Sequence, residues 1–366
     1  MADWFAARRR HLLDAAYARD CQGFLVTGST SIRYLTGFTG SAGAVLVLAD
    51  STVLATDGRY VEQAAGEAPG VVVEPTRDYL ARLLAIASAQ RSPSVRRIAA
   101  ESDHLTWHES DTVKATLASL SGALLELVPT TGVLAEQRII KDAHEIECIR
   151  SACAITQAAL LEAIAAVTPR VSEKQLAQVF LDAIQRNGAD GPAFEPIVAI
   201  GANSARPHHR PGHMVAGAGD LVLFDVGAKV EGYCSDISRT VALGRPLDEI
   251  VHIHAIVERA QAAGRHAVGP GVEAAAVHDA ALAVIADAGY SDRFVHGTGH
   301  GLGLDIHEPP LIGPLSEARL AESSTVTVEP GIYLPGIGGV RIEDTVLVTA
   351  VGAEPLTTIT RALIEC

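Results

Sequence analysis

The chain has 366 residues, is 48% hydrophobic and only 20% charged. That is a globular composition rather than a disordered one, with enough length for two domains. A net charge of −14 disfavours a nucleic-acid-binding protein. Five cysteines without a Cys-x-x-Cys pair argue against a disulfide framework or zinc ribbon and fit reduced, cytoplasmic thiols.

The N-terminal Met1-Ala-Asp-Trp-Phe-Ala-Ala-Arg-Arg-Arg10 has no apolar run after its arginines, so no cleaved signal is expected. No uninterrupted apolar run approaches the roughly 18 residues of a membrane span. Residues 3–21 read as an amphipathic helix with Leu12, Leu13, Ala16 and Tyr17 on one side. A strand follows at 23–27, then a turn-rich segment at 29–43. Residues 44–48 and 52–56 read as a hairpin across Ala49-Asp50-Ser51. Asp57-Gly-Arg-Tyr60 leads into a helix, 71–75 is a β-branched run, and helical patterns fill 77–90 and 109–121. No catalytic constellation lies in this small α/β unit, which reads as a support or recognition domain.

Pro129-Thr-Thr-Gly132 marks a boundary, giving domains of 1–132 and 133–366. Asp142 is placed to cap a helix over 143–166, which Thr168-Pro169 ends. Ser172 with Gln175 resembles a capping box for a helix running to about Gln185. Strands dominate to 241, helices occupy 247–265 and 273–288, and strands return over 325–349. The order is helix pair, hairpins, helix pair, hairpins.

Between the last helix and the last strands lies His296-Gly-Thr-Gly-His300-Gly-Leu-Gly-Leu-Asp-Ile-His307-Glu308. Alternate glycines disfavour helix, at roughly 1 kcal/mol each. On an extended chain His296 and His300 are about 13 Å apart. At most one of them can then bind a given ion.

The two hairpin regions each offer two carboxylates. Asp225 sits in an apolar strand with Asp236 on the next, and Glu329 ends a β-branched run with Glu343 on its neighbour. Strand interiors disfavour acids, and unpaired buried carboxylates are costly. Either salt bridges compensate, with Arg239 or Lys229 as partners of Asp225, or a metal does. Four carboxylates with one imidazole suit a pair of divalent ions acting as a hydrolytic centre.

The order Asp225, Asp236, His300, Glu329, Glu343 resembles the five-ligand set of the pita-bread metallopeptidases. So do the surrounding words Ser235-Asp-Ile-Ser-Arg-Thr240, Val328-Glu-Pro-Gly-Ile-Tyr333 and Gly339-Val-Arg-Ile-Glu-Asp344. The pattern is most similar to the Xaa-Pro peptidases, prolidase and aminopeptidase P. It is strong over 136–350 and weaker in the N-terminal domain, through Tyr34-Leu-Thr-Gly-Phe-Thr-Gly-Ser41 and Asp57-Gly-Arg-Tyr60.

The resemblance implies a two-domain α/β fold, with a creatinase/prolidase-like N-terminal domain before a pita-bread domain built on a curved antiparallel sheet. It implies two divalent ions, manganese first, with cobalt or zinc as alternatives. Asp225 would chelate one ion, Asp236 and Glu343 would bridge both, and His300 and Glu329 would complete the second site. Glu329 would also move protons. His208 and His307 would bind the scissile carbonyl or oxyanion, with His208 preferred over its neighbour His209. His209 and His213 are otherwise expected as solvent-exposed loop residues. His296 would line the substrate pocket, and Arg341 would steady the site near Glu343.

The implied partners are short proline-containing peptides and a second copy of the chain in a homodimer, with no nucleic acid and no membrane. Dipeptides are favoured over the N-termini of longer peptides. A creatinase-like hydrolase and a non-enzymatic relative are disfavoured, because all five ligands are present.

Overall fold

The computed structural model describes residues 4–90, 95–120 and 125–366. The chain divides into two compact units, Met1–Gln137 and Arg138–Cys366.

The first unit is built on a six-stranded mixed sheet. In spatial order its strands are Val72–Pro75, Thr52–Thr56, Ala44–Leu48, Gly23–Val26, Arg97–Glu101 and Glu126–Thr130. The hairpin of 44–48 with 52–56 forms as its β-branched runs predict. The last two strands went unread, because Arg97-Ile-Ala-Ala-Glu101 has neither β-branched enrichment nor a polar alternation. They are strands because their parallel partners, 23–26 and each other, place them there.

Two further expectations need correction. The first helix, Trp4–Tyr17, buries Leu12, Leu13 and Ala16 but exposes Tyr17. Arg8 and Arg9 are buried instead, donating to the carbonyls of Tyr34 and Leu35 at 3.0 and 2.9 Å. Within the turn-rich segment, Ser29–Thr36 is a helix. The chain entering it is held from far along the sequence. Buried Glu101 accepts hydrogen bonds from the backbone of Thr27 and Gly28 and from the Ser31 hydroxyl. A carboxylate at a helix N-terminus is also favoured by the helix dipole.

In the second unit the expected capping box at Ser172 and the expected cap at Asp142 are both present, the latter also completed as a box. Asp142 with Glu145 starts the helix Ala143–Ala165, and Ser172 with Gln175 starts Glu173–Arg186. The first of these helices is long and apolar enough, by length and composition, to cross a membrane. Half of its apolar window is buried inside this fold, with Ala159, Leu160 and Ala163 in one core cluster and Cys148, Ile149 and Cys153 in another. The second helix pair is Asp248–Ala267 and Ala274–Asp287. The sheets are antiparallel. Leu221–Val226 lies between Ile237–Ala242 and Ile197–Ile200, and Thr325–Val328 pairs with Asp344–Thr349.

The glycine-rich stretch is extended, as its composition predicts. Gly299–Gly301 is a strand held between Glu308–Ile312 and Thr325–Val328. A Cβ on Gly299 would stand 2.1 Å from the Thr327 carbonyl oxygen, and one on Gly301 would stand 2.3 Å from that of Pro309. Only glycine lets these three backbones approach so closely.

Candidate metal centre

Strand register places the acids. Ser238 faces Asp225 across the first ladder, and Asp236 sits one residue before the strand Ile237–Ala242. In the second ladder Val328 faces Asp344, so Glu329 and Glu343 are the next pair along. A backbone bond from Glu343 N to Ser238 O, 3.1 Å, ties the two ladders together. His300 enters from the central glycine strand. Its Nε2 lies 3.7 Å from Asp236 Oδ2 and 3.6 Å from Glu329 Oε1. Donor atoms of Asp236, His300 and Glu343 all lie within 4.8 Å of one another.

This arrangement is electrostatically uncompensated. Asp225, Asp236, Glu329 and Glu343 share a cleft, and the buried guanidinium set against them is that of Arg341, paired with Asp225, while the cleft-lining Arg210 is exposed and lies 3.6 Å from Glu195. Burial, then repulsion from Glu343, Asp225 and Glu329, pushes Asp236 well above the usual carboxylate range. Burial, then Glu329 and Asp225, does the same to Glu343. Burial lifts Glu329 to about 8. The Oδ1 atoms of Asp225 and Asp236 are buried without a hydrogen-bond partner. Such orphaned anionic oxygens are costly unless a cation meets them. The residues therefore fit divalent ions, and an all-oxygen-and-imidazole donor set suits manganese as well as zinc.

His300 is prepared for this role. Its Nδ1 can only donate to the Gly301 carbonyl at 3.0 Å, which leaves the Nε2 lone pair facing the carboxylates. Burial lowers its pKa to about 4, so the ring is neutral at pH 7.

Arg341 is buried and fully engaged. It pairs with Asp225 Oδ2, donates to Tyr333 Oη at 2.8 Å and donates from Nε to Ser238 Oγ at 3.0 Å. Ser238 in turn donates to Glu343 Oε2 at 2.8 Å. Neither Arg239 nor Lys229 fills the expected role of partner to Asp225. Arg239 is taken by buried Asp344 at 2.8 Å, because strand alternation turns it to the opposite face from Ser238.

The remaining histidines separate by environment. His307 packs edge-on against His300, with ring centroids 4.4 Å apart. His208 and His307 line the cleft with the carboxylates, which opens as a cavity of about 300 Å³. His296 lies on an adjoining cavity and both its nitrogens are in use. Nδ1 donates to the Gly297 carbonyl at 2.7 Å, and Nε2 lies 2.8 Å from Tyr333 Oη. His213 is exposed, as expected. His209 is not a free loop residue: its Nε2 lies 2.9 Å from Glu173, whose side chain is fully buried.

Glu173 was missed by sequence reading. Burial would raise its carboxyl. Hydrogen bonds from His209, the Ile200 amide, Asn203 and the Gly212 amide outweigh that and hold it below the usual range. One helix-start acid thus fastens the segment that presents His208. The apolar walls, Phe194, Ile197 and Ile306 on one side and Leu311, Ile312 and Pro314 on the other, also carried no sequence signal.

A buried cluster of acids with one neutral imidazole, at the floor of a cleft, defines a metal-dependent hydrolase. Residues 147–350 match the model of metallopeptidase family M24, and residues 8–140 match the creatinase/prolidase N-terminal domain. The chain belongs to metallopeptidase family M24.

An Xaa-Pro dipeptidase of Bacillus anthracis superposes with a TM-score of 0.92 at 35% identity, over 99% of this chain and all of that one. An X-Pro aminopeptidase of Thermotoga maritima does so with 0.90 at 31%, over 98% and 99%. An Xaa-Pro dipeptidase of Pyrococcus furiosus is 43% identical over 63% of this chain and 67% of its own length.

Proposed function

We propose that this enzyme is a dinuclear-metal exopeptidase that hydrolyses the Xaa-Pro bond of dipeptides and short peptides, with dipeptides favoured. Residues 1–132 form its N-terminal domain and 133–366 its catalytic domain. The observation that supports it most is the convergence of Asp225, Asp236, His300, Glu329 and Glu343 beneath a cleft that also presents His208 and His307. The relatives named for Xaa-Pro cleavage support the choice of bond.

The five donors would hold two divalent ions, manganese first. Bound there, the ions supply a water acidic enough to attack at neutral pH and an electrophile for the scissile carbonyl. Glu329 takes a proton at its carboxylate and returns it to the leaving proline nitrogen. His208 and His307 meet the developing oxyanion from the cleft wall. Arg341 holds Asp225 and, through Ser238, steadies Glu343. His296 lines the pocket with its ring, since both nitrogens are occupied. Proline offers no N–H for backbone pairing and presents an apolar ring, which suits the wall of Phe194, Ile197 and Ile306.

The deciding experiment follows hydrolysis of Xaa-Pro, Xaa-Pro-Yaa and matched Xaa-Ala peptides by chelated enzyme with Mn²⁺ restored. Cleavage should require the metal and prefer Xaa-Pro. If neither proline peptide is cut, the specificity is wrong. In His307→Ala, kcat should fall by about 10²–10³, the usual loss for one oxyanion donor, while metal content by elemental analysis stays at the wild-type level. Loss of metal as well would mean that His307 is a ligand.

The same reading places the enzyme in the cytoplasm as a homodimer. Its five free cysteines support a reducing compartment. Light scattering of the metal-loaded protein tests the dimer, and an active monomer would refute it.

A further inference from the structure

A second group of metal-binding side chains stands apart from the five-donor cleft. His144 and Cys148 lie one turn apart at the start of the helix Ala143–Ala165. Glu231 sits at the tip of the hairpin formed by Ala228–Val230 and Tyr233–Cys234, which lies against that helix. Cys148 Sγ is 3.8 Å from His144 Nδ1 and 3.9 Å from Nε2. His144 Nε2 is 3.4 Å from Glu231 Oε2. One donor atom from each residue falls within 4.8 Å of the other two.

We propose that His144, Cys148 and Glu231 form a separate site for a borderline divalent cation, Zn²⁺ above all, with solvent completing its coordination.

The geometry is close to what zinc needs. Bonds of about 2.0–2.1 Å to nitrogen or oxygen and 2.3 Å to sulfur set tetrahedral N···S and N···O edges of roughly 3.6 and 3.3 Å. The Nε2 distances of 3.9 and 3.4 Å already approach those edges. The sulfur is almost equidistant from the two ring nitrogens, so the imidazole must turn about χ2 to aim Nε2 between its partners. Its side chain is 31% exposed, which leaves room for that turn. Glu231 is still more exposed, at 64%, and can close over an ion from solvent.

Charge and donor type point the same way. Burial pushes the Cys148 thiol up to about 12, and Glu231, Asp142, Glu145 and Glu147 add to the effect. The acids that oppose a bare thiolate attract a cation. When the sulfur–metal bond forms, the S–H bond breaks and one proton leaves to solvent. A thiolate favours zinc, whereas the sulfur-free set in the main cleft is open to manganese. Two sites on one chain would thus sort two metals. The chain from Tyr233–Cys234 runs directly into Ser235 and Asp236, so an ion here would pin the hairpin behind one acid of the main centre.

Chelated full-length protein titrated with Co²⁺ gives the test. A thiolate-to-cobalt charge-transfer band in the near ultraviolet reports a sulfur ligand, which the main cleft lacks. Because the main cleft also takes up Co²⁺, the band's final intensity rather than its end-point should correspond to one thiolate-bound cobalt per chain. It should vanish in Cys148→Ser, yield to added Zn²⁺, and need about tenfold or more Co²⁺ in Glu231→Gln, in the range seen when support around a metal is lost. No band in the wild-type protein, or an undiminished band in Cys148→Ser, overturns the site. If that variant does not fold, His144→Ala decides by the same criterion. No peptide enters the readout, so failure here would leave the Xaa-Pro reading untouched.

Discussion

Glu343→Ala and Asp236→Ala are each expected to abolish divalent-metal uptake and to lower kcat/KM by about 10³ or more, several kcal/mol of lost transition-state stabilisation. The two acids lie at the meeting of the hairpins and are almost completely buried. In the proposed centre both would be shared donors to the two ions, and no other acid among the described residues lies where it could replace either. Removing either leaves three acids around Arg341 and breaks the donor triangle with His300. Metal content after dialysis and hydrolysis of an Xaa-Pro dipeptide are the two measurements. Glu343→Gln separates chemistry from folding, because an amide keeps the shape and can still accept from Ser238. It should melt close to the wild-type metal-free protein and yet remain inactive. Full activity in any of these variants, or in metal-stripped enzyme, would sink the dinuclear mechanism.

Arg341→Ala should cost about 3–5 kcal/mol of stability, the usual price of stripping one partner from a buried ion pair. For a unit the size of Arg138–Cys366 this lowers Tm by on the order of 10 °C. The guanidinium bridges Asp225, Tyr333 and Ser238, each on a different strand or strand end. Its loss leaves the partly buried Asp225 beside Glu329 and Glu343 without the guanidinium that pairs with it. The melting shift should therefore be larger in chelated protein than in metal-loaded protein. Arg341→Lys keeps the charge but not the planar fork, and should recover only part of the loss. A lysine variant with wild-type Tm and activity would show that charge alone matters at this position.

These two expectations draw on different layers of information. The order and chemistry of the five donors were legible along the chain, because acids inside apolar strands and glycines that exclude helix leave local signatures. The glycines at 299 and 301 forecast an extended backbone, and close packing against Thr327 and Pro309 is its cause. The ion partner of Asp225 was not legible along the chain. Arg239 and Lys229 are near in sequence, whereas Arg341 lies 116 residues away and reaches the site through strand pairing.

By itself the sequence determined the cap at Asp142, the capping box at Ser172, the hairpins and which residue types could hold ions. Each depends on contacts within a few residues or on side-chain alternation. Only the tertiary structure decided that Glu101 ties down the backbone entering the helix at Ser29, that Glu173 holds His209 and so sets how His208 is presented, and that Arg341 rather than Arg239 meets Asp225. It also assembled the apolar walls around the donors and brought Glu231 to His144 and Cys148. Those pairings join groups tens of residues apart, and their energy exists only once the sheets and helices have closed around them. Local propensity has no means of encoding a partner that only packing supplies.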